Sequence, residues 1–147
     1  MPREEIFLTT KLWCNDFHPD DVEPALDEAL AKLNTPYIDL FLMHYPCTFK
    51  RGVERFPKGE DGVMQMGDTT YVDTWKALEG LVKKGKAKAI GVSNFSKGEV
   101  QNLLEQGSIV SCPHVASAVP LTDFVSATGA SCASDGAASL PAAERVC

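Results

Sequence analysis

Tyr37-Ile38-Asp39-Leu40-Phe41-Leu42-Met43-His44 is the stretch from which the rest of the chain is read. Up to Met43 it is apolar except for Asp39, and it stops abruptly on a polar residue. A run this short is a strand rather than a helix. Its near-continuous apolarity is what a parallel strand covered on both faces requires. Two shorter runs resemble it. Ile6-Phe7-Leu8-Thr9-Thr10 ends on Lys11, and Ala87-Lys88-Ala89-Ile90-Gly91-Val92 ends on Ser93-Asn94. The spacing predicts strands near 6–11, 37–43 and 87–93.

Each predicted strand is followed by a helical pattern. Val22, Ala25, Leu26, Ala29, Leu30 and Leu33 recur at helical spacing. Asp20, Asp21 and Glu23 load that helix's first turn with the charge its dipole favours, and Pro24 is tolerated by its nearness to the start. Tyr71, Trp75, Leu78 and Val82 share a second face, with Lys83 and Lys84 in the last turn and Gly85 beyond it. Ser96-Lys97-Gly98-Glu99 spells a capping box ahead of Val100, Leu103 and Leu104. Helices are expected near 20–33, 71–84 and 97–106. Three consecutive strand–helix units imply a parallel sheet with right-handed crossovers. Between 46 and 70 runs a loop long enough to be functional.

The chain has 147 residues and a formal net charge of −6, with 44% hydrophobic and 23% charged residues. That balance fits an ordinary globular domain. Its acidity argues against nucleic acid as a partner. No apolar run is long enough to span a membrane and no signal core precedes Ile6, so a cytoplasmic protein is expected. Five cysteines without a C-x-x-C pair argue for free thiols and against a metal site. Beyond residue 110 the character changes. Residues 111–147 are about 40% Ala plus Ser without sustained periodicity, and an irregular, disordered tail is expected. A shifted reading frame or retained intron would produce such a junction.

Lys11, His44 and Ser93-Asn94 all fall at C-terminal strand ends, where parallel α/β folds gather their ligands. A flavodoxin-like reading would need a phosphate-binding glycine loop after the first strand, and residues 11–18 hold no glycine. Phe7-Leu8-Thr9-Thr10-Lys11-Leu12-Trp13 resembles the lysine-bearing segment of aldo-keto reductases. Tyr37 through Pro46 resembles the strand bearing their active-site histidine, and Gly85 through Phe95 their signature beside the nicotinamide. The resemblance covers roughly residues 3–110. In finer detail, Asp20 through Leu26 and Phe56-Pro57-Lys58 look most like fungal NADP-dependent alcohol or glycerol dehydrogenases.

The resemblance implies an α/β fold, part of a (β/α)₈ TIM barrel comprising about three βα units, and NADP(H)-dependent reduction of aldehydes and ketones. It implies catalytic roles for Lys11 and His44, nicotinamide contacts from Ser93 and Asn94, and pocket walls from Trp13 and Tyr45. The family's proton-donating tyrosine has no counterpart, because Tyr37, Tyr45 and Tyr71 lie outside its motif. The later glutamine segment and the motif for the adenosine 2′-phosphate have none either. Asn34-Thr35-Pro36 stands where a glycine turn is usual. The expectation is therefore little or no reductase activity for this chain by itself. A non-catalytic interaction or decoy role, with self-association through open sheet edges, is the competing expectation.

Overall fold

The computed structural model describes residues 1–52 and 54–107. The predicted tail, with Cys112, Cys132 and Cys147, lies outside the described residues. Three strands, β1 (Thr9–Leu12), β2 (Ile38–Met43) and β3 (Ala87–Val92), form a parallel sheet in the order β1-β2-β3. Helices α1 (Pro19–Leu33), α2 (Tyr71–Lys83) and α3 (Lys97–Gln106) follow them in turn. This is the α/β architecture expected, with element ends within a residue or so of prediction except at the first strand.

That exception has a visible cause. Arg3–Glu5 forms a 3-10 turn, and the Leu8 amide donates to the Asp39 carboxylate at 3.0 Å as well as bracing the start of β2 through its carbonyl. The strand pairing proper begins at Thr9, opposite Leu40. Ile6 and Phe7 are therefore not strand residues, and Phe7 is exposed.

The helix ends obey local chemistry. Ser96 and Glu99 make the expected reciprocal capping box. Thr70 caps α2 by accepting from the Asp73 amide. His18, which sequence reading left without a role, caps α1 by accepting from the Asp20 amide. Pro19 occupies the first turn of α1, where a missing N–H is harmless, but Pro24 sits a turn further in and the helix runs through it. Asn34 ends α1 in the left-handed conformation at φ 49°. Asparagine tolerates that region better than most residues, which explains how Asn34 replaces a glycine turn. Gly85 turns the chain after α2 at φ 73°.

On one face of the sheet Leu12, Phe41, Met43, Ile90 and Val92 pack with Val22, Leu26 and Leu30 of α1 and Trp75, Leu78 and Leu81 of α2. The α2 face centres on Trp75 and Leu78, as expected, but includes Val72 and Leu81, while Tyr71 and Val82 are only half-buried. In α3 Leu103 is buried and Leu104 is exposed. On the opposite face, the register sets Lys11, Leu42 and Gly91 abreast.

The lysines on either side of Gly85 are held by ion pairs. Lys84 pairs with Glu23, and Lys86 pairs with both Glu23 and Asp27, so α1's acidic residues hold the turn between α2 and β3. The long loop is also organised. Phe49 and Met66 form one antiparallel bridge and Lys58 and Met64 another. Phe49 and Met64 are buried in the common core.

Candidate active site

The backbone ladder continues one residue past the strands. The His44 amide donates to the Leu12 carbonyl at 3.2 Å, and the Ser93 amide to the Met43 carbonyl at 2.9 Å. Side chains alternate along a strand, so Lys11, His44 and Ser93 fall on the same side of the sheet, at its C-terminal edge. Asn94 then turns the chain in the left-handed region at φ 62°. Its Nδ2 donates to the His44 carbonyl at 2.8 Å and to Ser93 Oγ at 3.1 Å. The second and third strand ends are thereby tied together. The turn preceding the Ser96 cap does more than reverse the chain.

Trp13 is the hub of an aromatic cluster. Its ring meets His44 edge-on at 4.9 Å and Tyr45 at 6.1 Å between centroids. Phe49 and Phe56, both from the long loop, approach it at 6.1 and 5.4 Å. Tyr45 stacks on His44 at 4.7 Å with the rings 9° from parallel. Edge-to-face and offset-stacked rings fix one another's orientation as well as burying area. Trp13 and Tyr45 therefore do sit at the strand ends with His44.

The long loop is fastened beside this cluster at three points. The Trp13 indole N–H donates to the Arg55 carbonyl at 2.7 Å. Asn15 Nδ2 donates to the Gly52 carbonyl at 2.9 Å. Arg51 forms a two-pronged ion pair with Asp21 at the start of α1. Sequence reading singled out neither Arg55 nor Asn15. The only signal for Arg55 was the long loop's length, and Asn15 had none. A cavity of about 570 Å³ opens between this loop, β1 and α1, with Lys11, Trp13, Asp16, Glu28, Lys32 and Arg55 in its lining.

The electrostatics follow from this packing. Burial, then the charges of Lys11 and Arg55, push the His44 imidazole below its ordinary value. At neutral pH it is the uncharged ring, with one N–H to give and one lone pair to receive. Burial pushes the Tyr45 phenol up, and the nearby Cys14 and Cys47 add to the rise. Both of these cysteines are buried, and neither forms a disulfide among the described residues. Burial likewise raises the Asp16 carboxyl, with Asp21 and Glu28 adding and Arg55 opposing. The Lys11 ammonium makes no ion pair or side-chain hydrogen bond among the described residues.

Asn94 spends its amide nitrogen twice and leaves Oδ1 without a hydrogen bond among the described residues. A carboxamide brought to this corner would find an acceptor in Asn94 Oδ1 and a hydroxyl in Ser93. The residues present thus fit the nicotinamide end of a dinucleotide. No cluster of three or more His, Cys, Asp or Glu placed to hold a metal ion occurs among the described residues. None of the described helices is long and apolar enough to cross a membrane.

Comparisons with known proteins identify the family and the fold. The model of the Aldo/keto reductase family matches residues 1–124. The aldo-keto reductase family 1 member A1 of Sus scrofa is 51% identical over 109 residues, which are 74% of this chain and 34% of that protein. The corresponding protein of Gallus gallus is 51% identical over 107 residues, 73% of this chain and 33% of its own. The solved aldose reductase of Schistosoma japonicum superposes with a TM-score of 0.73 at 42% identity, covering 74% of this chain and 36% of that one. The aldose reductase of Giardia lamblia gives 0.71 at 35% identity with the same coverage. The chain thus spans about a third of the length of the curated relatives it matches. Three parallel strand–helix units with these site residues at one sheet edge form part of a TIM barrel, and the chain belongs to the aldo/keto reductase family.

Proposed function

We propose that this segment supplies part of the active site of an NADP(H)-dependent carbonyl reductase acting on aldehydes and ketones. The observation that carries the reading is the convergence of Lys11, His44 and Ser93-Asn94 on one edge of the sheet, with His44 clasped by the Asn94 amide. NADPH, when bound, supplies the hydride. Asn94 and Ser93 would hold the carboxamide and so fix which face of the ring meets the substrate. Neutral His44, locked between Trp13 and Tyr45, orients the carbonyl by donating a hydrogen bond. Lys11 places a positive charge where it would favour the ionised form of a neighbouring proton donor.

The chain's own tyrosines are poorly suited to be that donor. Tyr45 has its phenol pushed up by burial rather than brought down. The Tyr71 hydroxyl accepts from Asn102 on α3. Tyr37 lies between Arg3 and Lys88 at the far end of the sheet. We therefore expect the 147-residue chain by itself to show no turnover, and a cytoplasmic setting for the protein. The non-catalytic alternative, self-association, draws on one observation: β1 is a sheet edge with Thr9 and Lys11 exposed. Light scattering across a concentration series checks it, and a concentration-independent monomer mass would exclude it.

A chimaera tests the main reading. Residues 1–107 would replace the matching third of a full-length relative such as the Sus scrofa protein. The chimaera should consume NADPH with an aldehyde, and Lys11→Met and His44→Ala should each cost about a hundredfold or more in kcat/KM. An active chimaera indifferent to both substitutions would refute the assignment.

A further inference from the structure

We propose that Tyr71 is a positioning residue for the cofactor corner: its ring, steadied from α3, fixes the turn that carries Ser93 and Asn94 and so sets their grip on a carboxamide. The inference rests on the reading of that corner as the nicotinamide site. It adds a residue that acts through Phe95 rather than on the cofactor or the substrate.

The turn needs holding. Asn94 lies in the left-handed region at φ 62°. A residue other than glycine stays there only where its surroundings fix it. Before it, the Ser93 amide is tied to the Met43 carbonyl at 2.9 Å. After it, Phe95 sets its ring against Tyr71, edge to face, with 5.5 Å between centroids. Such a contact fixes ring orientation as well as burying area. Asn94 is therefore anchored on one side by the β2 backbone and on the other by a ring of α2. Its two side-chain donations, to the His44 carbonyl and to Ser93 Oγ, are made from this conformation.

Tyr71 is itself held. It is the first residue of α2, directly after the Thr70 cap. Its hydroxyl accepts from Asn102 Nδ2 at 2.7 Å. Asn102 Oδ1 in turn accepts from Gln106, which leaves Nδ2 as the end that serves Tyr71. The tie thus runs from the last turn of α3 through Asn102 and Tyr71 to Phe95. Core packing alone does not account for it. Tyr71, Phe95 and Asn102 are half-buried, whereas Val72 beside Tyr71 and Leu103 beside Asn102 enter the core. A phenylalanine would fill the same space, and only the hydroxyl links the ring to α3.

The test uses the full chain. The first readout is the NMR signal of the Asn94 side-chain amide, identified by its loss in Asn94→Asp. Tyr71→Phe keeps the ring and removes the tie, and should speed exchange of those amide protons about fivefold, as expected for one hydrogen bond. The second readout is affinity for two probes that differ at one group, nicotinamide mononucleotide and nicotinic acid mononucleotide. The parent should prefer the amide, because the carboxylate has no N–H to give Asn94 Oδ1. Tyr71→Phe should weaken binding of the amide about fivefold and leave the acid unchanged. Asn102→Ala should do the same, and the double variant no more than either alone. Val22→Ala loosens the core from α1 instead, and should lower the melting temperature while altering neither readout.

If Tyr71→Phe leaves the exchange rate and the preference for the amide at parent values, the proposal is overturned and the nicotinamide reading stands. Equal weakening of both probes, or the same changes in Val22→Ala, would overturn it too, since either would follow from loss of stability alone. A parent that binds neither probe, or both alike, would remove the nicotinamide reading itself, and the proposal with it.

Discussion

The two ends of the same three strands treat charge in opposite ways. At the N-terminal end, Asp39 is buried and both cations beside it, Arg3 and Lys88, pair with it. It accepts from Arg3 at 2.7 Å and from the Leu8 amide at 3.0 Å, and pairs with Lys88 at 3.0 Å. Arg3 also donates to Thr35 and to the Tyr37 carbonyl, and its guanidinium and the Lys88 ammonium flank the Tyr37 ring. At the C-terminal end, Lys11 and Arg55 form no ion pair among the described residues, and their charges bear on a neutral His44. The first end is built to hold the strands in register. The second leaves its cations without carboxylate partners among the described residues, which suits the ligand site proposed there. This is the division of labour that parallel barrels show between their two faces.

The largest effect expected is at the paired end. Asp39→Ala strands Arg3 and Lys88, and should destabilise the fold by about 2–3 kcal/mol, discounted from fully buried pairs because Lys88 is half exposed. Urea unfolding measures it. The same carboxylate gives a pH signature. Burial pushes the Asp39 carboxyl up, but the Leu8 amide, Arg3 and Lys88 outweigh that and hold it at about 2, against an ordinary 3.8. A depressed carboxyl stabilises the fold above its ordinary value and loses that contribution as pH falls. About 2 kcal/mol should therefore disappear between pH 4 and pH 2, and Asp39→Asn should flatten that slope.

A second, somewhat smaller effect tests whether the long loop is built or merely draped. A Cβ at Gly67 would meet the Phe49 carbonyl oxygen at 2.6 Å and Thr48 Cγ2 at 2.8 Å. Gly67→Ala must push the loop off the Phe49 bridge, at a cost of about 1–3 kcal/mol. Loss of amide protection at Gln65 and Gly67 would be its signature, since those amides donate to Pro57 and Thr48. Below that comes Ser96→Ala, which removes the α3 capping box for about 1 kcal/mol by thermal melting. Smallest in energy, but specific to the unpaired end, is the His44 titration. The ring should gain its proton only below the ordinary 6.5, and Arg55→Gln should move that midpoint upward in an NMR titration.

What the sequence made legible, and what it hid, follows the same divide. Local signals were enough for the helices, because Ser96-Glu99, Gly85 and the acidic first turn of α1 act within a few residues. The polar strand ends could be picked out because each breaks an apolar run. Contacts made across the chain could not. Arg3 reaches Asp39 over 36 positions, and no periodicity announces it. The late start of β1 depends on the Leu8 amide reaching the same carboxylate, so it was hidden too. The Lys86 pairs with Glu23 and Asp27 depend on α1 lying beside the α2–β3 turn. Arg55 and Phe56 became site residues only once the loop folded back on Trp13. His18 was invisible as a cap because histidine is seldom one.

The central claim, that one end of the sheet holds the fold and the other is kept open for a ligand, is tested most directly by comparing the unfolding free energies of Asp39→Ala and Lys11→Met in urea. The account predicts a large loss for Asp39→Ala and no loss, or a slight gain, for Lys11→Met, because the Lys11 ammonium has no ion pair among the described residues to lose. A loss above about 1 kcal/mol for Lys11→Met would show that its ammonium carries structural weight like that of the paired end, and would contradict the division.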